Sequence, residues 1–509
     1  MSTVLLVSSF VVFILSILLL HPFSEWLKFK EAEIADLLVT NAFIYTSDPS
    51  FPVANSMAIK NGRILGLGNY SSLQGLEGSK TEKLNLEGKI VVPGFIDSHL
   101  HLLYGGLQMT QVELQGVSTK QEFIMKIETA VKSKKEGVWI LGGGWNNDLW
   151  GGELPMANWI DDISPQNPVW LSRMDGHMGL ANSLALQKAG ITRETKDPPG
   201  GTLTRTADGD VYDWANTSGN MIIRVCLFFP LETWSRLSDL VQKTGRMVSQ
   251  WIYLGGVKAF FDGSLGSNSA LFYEPYADDP ESSGLQLMEL DYLTNMTALC
   301  DESGLQVAIH AIGDKANALI LDMYELVSSK NGKRDRRFRI EHAQHLVPGY
   351  VTRFGKQGVV ASVQPEHLLD DANSAERKLG KQRAESGSYL FQSLLASHSL
   401  LAFGSDWPVA DIDPLNTIRA AVKRIPPTWE TSWISSECLT LNDALDAHTI
   451  SAARACFLDK DIGSLSPGKL ADFVVLSTNS WEKLTAEAFA SIEATYIGGV
   501  KAYPAKTAV

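Results

Sequence analysis

Four short apolar runs in this chain each lead into a histidine or an aspartate, and that repetition narrows the fold more than any other feature. VVPGFIDSHLHL (91–102) delivers Asp97, His99 and His101. GLQVAIHAIGD (304–314) places His310 after Val307–Ile309, and FRIEHAQHL (338–346) places His342 after Phe338–Ile340. LLAFGSDWPV (400–409) places Asp406 after Leu400–Phe403. Runs of this length, bounded by polar or turn residues, read as buried strands. Ligand-type residues at the C-terminal ends of successive strands are how (β/α)8 barrels assemble an active site. Residues two apart on an extended segment point to the same side, so His99 and His101 can face one metal ion. A bare His-x-His reads better as two surface histidines; the strand context and the later strand-end ligands turn the reading toward metal.

Lys258, in GGVKAFFDGSLGSNSA (255–270), ends another strand. An ammonium has no place among metal-binding imidazoles, and a buried unmodified lysine loses its charge or destabilises the fold. A carbamate formed with CO2 turns it into an anionic oxygen ligand. The competing reading is a lysine that snorkels to the rim and keeps its charge in water.

The motifs HLH, VKAFFDGSLGS, VAIHAIGDKAN, RIEHAQHL and GSDWPVADIDPL, in that order from about Asp36 to the C-terminus, resemble the amidohydrolase superfamily, specifically its family 3, which includes N-substituted formamide deformylases. The resemblance implies a metal-dependent hydrolase (β/α)8 TIM-like barrel, an α/β fold, beside a small composite β-sandwich. It also implies one or two divalent metal ions, zinc being the expected one. Carried over by motif, His99 and His101 bind the first ion, Lys258 bridges as a carbamate, and His310 and His342 bind the second. Asp406 is then both ligand and catalytic acid/base. The reaction is hydrolysis of a C–N bond in a small-molecule amide, formamide or cyclic amide. Arg173, Asp175, His177 and Asn182 in RMDGHMGLANS, with Gln364 and His367 in QPEHLL, are substrate-pocket candidates. His345, three beyond His342, faces the opposite way, and Trp145, Trp150 and Trp159 suggest either an aromatic wall or packing. A rival class is a non-catalytic, membrane-tethered regulatory protein that keeps the fold and acts through partners, in light signalling of the phytochrome A kind. A nucleobase-ring hydrolase is a third reading, disfavoured by the long excursion and the GSLGS loop.

At 509 residues the chain accommodates one large barrel and a smaller domain, and its net charge of −13 argues against nucleic acid as a partner. The basic run Lys333–Arg337 reads as a solvated turn. Four cysteines without C-x-x-C spacing read as free or buried thiols, neither a disulfide framework nor a zinc knot. Val4–Leu20 is an apolar run at the lower limit for a bilayer span, without a basic leader or a cleavage site, so a signal anchor over 1–30 is expected. That predicts a single-pass endomembrane protein of the ER or perinuclear membrane. Lys28 and Lys30 favour a cytosolic body, whereas sequons at Asn69, Asn216 and Asn295 suit a luminal one. A homodimer is an allowed assembly.

The expected organisation is an N-terminal part of the sandwich at 35–90, the barrel at 91–455 with an excursion at about 105–215, and a C-terminal part of the sandwich at 456–509. Barrel strands are predicted at 90–98, 221–229, 254–261, 305–311, 338–342, 359–364 and 400–405. The polar, Gly-rich stretch between Leu186 and Met221 holds no run suited to an eighth, so one β/α unit is expected to be missing. A divergent strand near Asp210–Trp214 is the alternative.

Overall fold

The computed structural model describes residues 34–102, 106, 111–175, 178–189, 223–485 and 490–504. Its centre is a six-stranded sheet in the order Val225–Pro230, Ile252–Phe260, Gln306–Ala311, Arg339–His342, Val360–Val363 and Leu400–Phe403. Every pairing in it is parallel, with helices such as Asp314–Asn331, Val351–Gln357 and Phe391–Ala396 on the connections. Val307, Ile309, Ile340, Val363 and Phe403 share one core with Ile320, Tyr324, Phe354 and Leu394 of those helices. A parallel sheet covered by its own crossovers must be apolar on both faces, which is why these strands read as unbroken hydrophobic runs. Among the described residues the sheet does not close into an eight-membered ring.

The stretch 90–98, expected as the first barrel strand, divides between two structures. Ile90–Pro93 pairs with Phe43–Tyr45 and Phe473–Leu476, in a sheet built from both ends of the chain. After Pro93-Gly94 the backbone leaves that sheet and runs beside the last parallel strand. There the Ser98 N–H donates to Phe403 O at 2.8 Å, and the Asp406 N–H to His99 O at 2.7 Å. Gly404 permits this approach, because a Cβ there would lie 2.5 Å from the His99 nitrogen. The correction to the expected boundary is physical: Pro93 has no N–H to donate and Gly94 makes the closing bond of that ladder, to Asp472 O at 2.8 Å, so one apolar run serves two sheets.

Alternation along the shared sheet shows how it bonds two layers. Val91, Phe473 and Val475 enter a core with Leu37, Met57 and Ile64, from the smaller sheet Leu37–Thr40, Ser56–Lys60, Arg63–Gly68 and Glu82–Asn85. Ile90, Val92, Val474 and Leu476 point the other way, into the barrel core. The period of two thus places one set of side chains in each core.

Residues 112–181 form a separate four-stranded sheet in which Val112–Glu113, Ile140–Trp145 and Val169–Arg173 are parallel and Gly179–Ala181 is antiparallel. Helix Lys120–Ser133 packs on it, and its own core includes Phe123, Ile127, Trp145, Trp159 and Leu171. Trp145 is buried and donates its indole N–H to Leu171 O at 2.8 Å, and Trp159 is buried beside Phe123, so these tryptophans pack the excursion. The Val4–Leu20 run and most of the stretch expected to lack a strand (190–222) lie outside the described residues. Among the described residues no helix is long and apolar enough to cross a membrane.

Candidate metal centre

The C-terminal ends of the parallel strands bring His99, His342 and Asp406 together, each with a ligand atom within 4.8 Å of the others. Asp406 Oδ1 lies 3.2 Å from His99 Nε2 and 3.2 Å from His101 Nε2. His342 (φ 76°) and Asp406 (φ 59°) both occupy the left-handed backbone region. That conformation is costly for a residue with a Cβ and persists where the surroundings demand it. Here His342 closes the Arg339–His342 strand, Asp406 follows Leu400–Phe403 by three residues, and both line the cleft.

Lys258 Nζ and His367 Nε2 are buried without a hydrogen-bond partner, while His99 Nε2 and Asp406 Oδ1 are buried against each other at 3.2 Å. Buried polar groups are otherwise almost always satisfied. Imidazole nitrogens and a carboxylate oxygen crowded together out of water, as in His99, His342 and Asp406, are a donor set that suits a divalent ion.

Neighbours fix the orientation of the imidazoles. Glu341 Oε2 sits 2.8 Å from His99 Nδ1, leaving Nε2 to face Asp406. Gln364 Oε1 lies 2.7 Å from His342 Nδ1, which must carry the proton and leaves Nε2 as the lone-pair nitrogen. Glu341 is in turn gripped by Arg339, at 2.7 and 3.2 Å. Burial raises the Glu341 pKa, but Arg339 and His99 outweigh it and hold the carboxyl well below the usual range. Asp406 behaves alike: burial opposes ionisation, and His99, His101 and His342 overcome it. Burial pushes His342 well below the ordinary imidazole value, so it is neutral and able to ligate. Burial also lowers Lys258, with Glu341 and Asp406 opposing.

Lys258 does not snorkel: its Nζ is inaccessible and stands 4.4 Å from the Phe260 ring centre. His310 meets His342 edge to face with ring centres 4.5 Å apart, but its Nε2 lies 3.0 Å from Gly263 O. His367 has its Nδ1 3.2 Å from Gln344 Nε2, and its Nε2 is 3.9 Å from Asp406 Oδ2. His101 is 40% exposed at the mouth. Burial brings His345 down to about 3, and its Nδ1 bonds Ser388 Oγ, away from the cluster.

Two substrate-pocket assignments are corrected. Asn182 is buried and caps helix Ser183–Lys188, accepting from Ala185 N at 2.9 Å while its amide bonds Ser164 and Asn167. Gln364 is a support for His342, buried behind it. Arg173 lines the cleft, held in place by four hydrogen bonds, to Asp175 (2.6 Å), Asp148 (3.1 Å), Asn146 (3.0 Å) and Asn147 (3.1 Å). His177 lies outside the described residues. His367 lines the cleft beside His101, Phe260, Gln344 and Asp406.

Sequence reasoning missed Arg339, Glu341 and Asp262. Two opposite charges spaced i, i+2 in the otherwise apolar RIEH strand were the available signal for the first two. Asp262 accepts from the backbone of Leu271, Ile312 and Gly313 at 2.8–2.9 Å, tying the GSLGS loop to the end of the His310 strand. Burial raises its pKa to about 7.

A parallel α/β sheet with a polyhistidine–aspartate cluster at its C-terminal edge is the architecture of a metal-dependent hydrolase. The chain belongs to the amidohydrolase family, whose model matches residues 82–214 and 211–503. It is 57% identical to Protein LONG AFTER FAR-RED 3 of Arabidopsis thaliana, over 92% of each chain. It is 23% identical to N-substituted formamide deformylase of Arthrobacter pascens, over 92% of this chain and 99% of that one. Among solved structures, an uncharacterized metal-dependent hydrolase from Pyrococcus furiosus superposes with a TM-score of 0.66 at 26% identity, covering 87% of this chain and 99% of that one. The two family matches meet at 211–214, inside the polar stretch between Leu186 and Met221. The Arabidopsis alignment spans 536 positions against 509 residues here, so this chain carries gaps relative to that relative.

Proposed function

We propose that this protein hydrolyses carbon–nitrogen bonds other than peptide bonds in a small amide, formamide or cyclic amide. The observation that carries the reading is the buried cluster of His99, His342 and Asp406, whose ligand atoms all lie within 4.8 Å of one another. His99, His101, His342 and Asp406 would hold a divalent ion, with His310 and Lys258 completing a second position. When bound, such an ion, zinc by the donor set, makes water acidic near neutral pH and polarises a carbonyl. Asp406, ionised and at the centre of the cluster, accepts the proton of the attacking water and returns it to the leaving nitrogen. Glu341 and Gln364 keep the His99 and His342 rings in the ligating tautomer. His367 faces the cleft with an unpartnered nitrogen suited to a substrate carbonyl oxygen.

Purified protein is expected to carry about one to two equivalents of zinc or a similar ion, measured by elemental analysis, and His342→Ala to lower that content. Folded wild-type protein free of metal, and unable to take it up, would sink the enzyme reading.

Lys258 is proposed as a carbamate. Its dry, neutral amine attacks CO2: one N–C bond forms as a C–O π bond of CO2 opens onto oxygen, and the N–H proton is released, leaving the anionic carbamate. Metal reconstitution and hydrolysis should therefore rise with added bicarbonate. Lys258→Ala should lose activity that short carboxylic acids partly restore; indifference of both proteins to bicarbonate and acid would leave an ordinary lysine.

The runner-up is a non-catalytic regulatory protein, supported by the 57% identity to Protein LONG AFTER FAR-RED 3. The apolar Val4–Leu20 run supports tethering to an endomembrane, and the meeting point of the family matches supports an absent β/α unit near 211–214. Homodimerisation remains part of the proposal.

A further inference from the structure

Two cysteines 230 positions apart in the sequence meet behind the metal centre. Cys226 lies on the Val225–Pro230 strand and is part-exposed, whereas Cys456 caps the C-terminus of helix Ile450–Ala455 and is buried. Each thiol shifts the other's pKa, Cys226 upward and Cys456 downward, which places the two side chains as neighbours. Arg339 Nη1 also reaches Cys456 Sγ, at 3.5 Å. The same guanidinium holds Glu341, which holds His99 Nδ1. An unbroken line of contacts therefore runs from the two thiols to a residue of the metal cluster.

We propose that Cys226 and Cys456 form a redox-modifiable dithiol, closed to a disulfide by a peroxide, whose oxidation state is transmitted through Arg339 and Glu341 to His99. A thiolate next to a guanidinium is the reactive form of cysteine. The Cys226 side chain, supported by Arg339, brings the Cys456 thiol down to about 7 against the opposing effect of burial. Cys456 is thus the attacking sulfur. Its thiolate displaces on a peroxide oxygen, the O–O bond breaks, and the departing hydroxide takes a proton to leave as water, giving a sulfenic acid. The Cys226 sulfur then attacks the oxidised sulfur, the S–S bond forms, and the second oxygen leaves as water. Two thiols lose two electrons and two protons, and one hydrogen peroxide becomes two waters.

The oxidised pair carries no thiolate, so Arg339 loses an anionic acceptor and its grip on Glu341 is re-set. Partners that orient a metal-binding histidine change metal affinity by about 10–100-fold when removed. A partial disturbance of that line should accelerate metal loss by about 10-fold or less.

Neither of the other cysteines shares this setting. Cys300 is buried, and burial pushes its thiol up to about 12. Cys438, part-exposed, has its Sγ 3.9 Å from the Lys423 carbonyl.

The test uses the full chain, purified under reducing conditions, loaded with zinc and exposed to graded hydrogen peroxide. Peptide mapping without reductant should find a Cys226–Cys456 linkage before Cys300 or Cys438 is modified. Cys226→Ser should stop at a sulfenic acid on Cys456, trapped by dimedone. Zinc release to a chromogenic chelator should be several-fold faster from the oxidised wild type, and thiol reductant should reverse it. Wild-type protein without that linkage, or with oxidation confined to Cys438, overturns the dithiol. A linked protein that releases zinc at the reduced rate overturns the connection to His99.

Discussion

Asp406→Asn is expected to lower C–N hydrolysis by about 10²–10⁴-fold, the usual contribution of a positioned acid–base group. The substitution is close to isosteric, and asparagine tolerates the left-handed backbone that Asp406 adopts at φ 59°. The fold should therefore survive, and circular dichroism should match the wild type. What the amide cannot do is accept a proton. Asp406 is 5% exposed, and its Oδ1 stands 3.2 Å from both His99 Nε2 and His101 Nε2. No other described carboxylate enters that cluster of three. Measuring bound metal alongside the rate separates two causes of a loss. An inactive variant that keeps its ion marks Asp406 as the proton carrier, and one that loses the ion marks it mainly as a ligand. An Asn variant with the wild-type rate would remove Asp406 from the reaction.

Arg339→Met should destabilise the protein by about 3–5 kcal/mol, the cost of stranding one member of a buried ion pair. Arg339 and Glu341 are 1% exposed each, and their charges meet at 2.7 Å. Arg339 also donates to Ser98 O at 2.7 Å and Ser362 Oγ at 3.0 Å, so it joins the irregular His99 segment to the parallel sheet. Removing it leaves the Glu341 carboxylate without its guanidinium in a dry interior. The double variant Arg339→Met with Glu341→Leu should regain much of the loss, because two apolar groups of similar size carry no desolvation penalty. It should not regain metal affinity, since nothing then orients His99, and a deficit of about 10–100-fold is expected. Chemical denaturation checks the first half and metal titration the second. Equal stability of single and double variants would show that the pair contributes through packing and not through charge.

Much of the parallel sheet was legible from short windows. The runs ending at His310, His342 and Asp406 predicted strands within one or two residues of Gln306–Ala311, Arg339–His342 and Leu400–Phe403. Strand formation there follows from local composition and from burial on both faces, and neither needs a partner to be known. The 90–98 run failed as a single strand for an equally local reason that was underweighted: the Pro-Gly pair at its middle ends one ladder and lets the chain turn toward another.

The sequence by itself determined which strands exist and which ligand-type side chains stand at their ends, because alternation and strand propensity act over a few neighbouring residues. Only the tertiary structure decided what each polar group does. Asn182, a plausible substrate contact in one dimension, caps a helix, and Gln364 steadies His342. Glu341 reaches His99 from 242 positions away, and Cys226 meets Cys456 across half the chain. A buried donor or acceptor takes whatever partner packing brings within about 3 Å. That partner is set by how distant segments stack, and no local window records it.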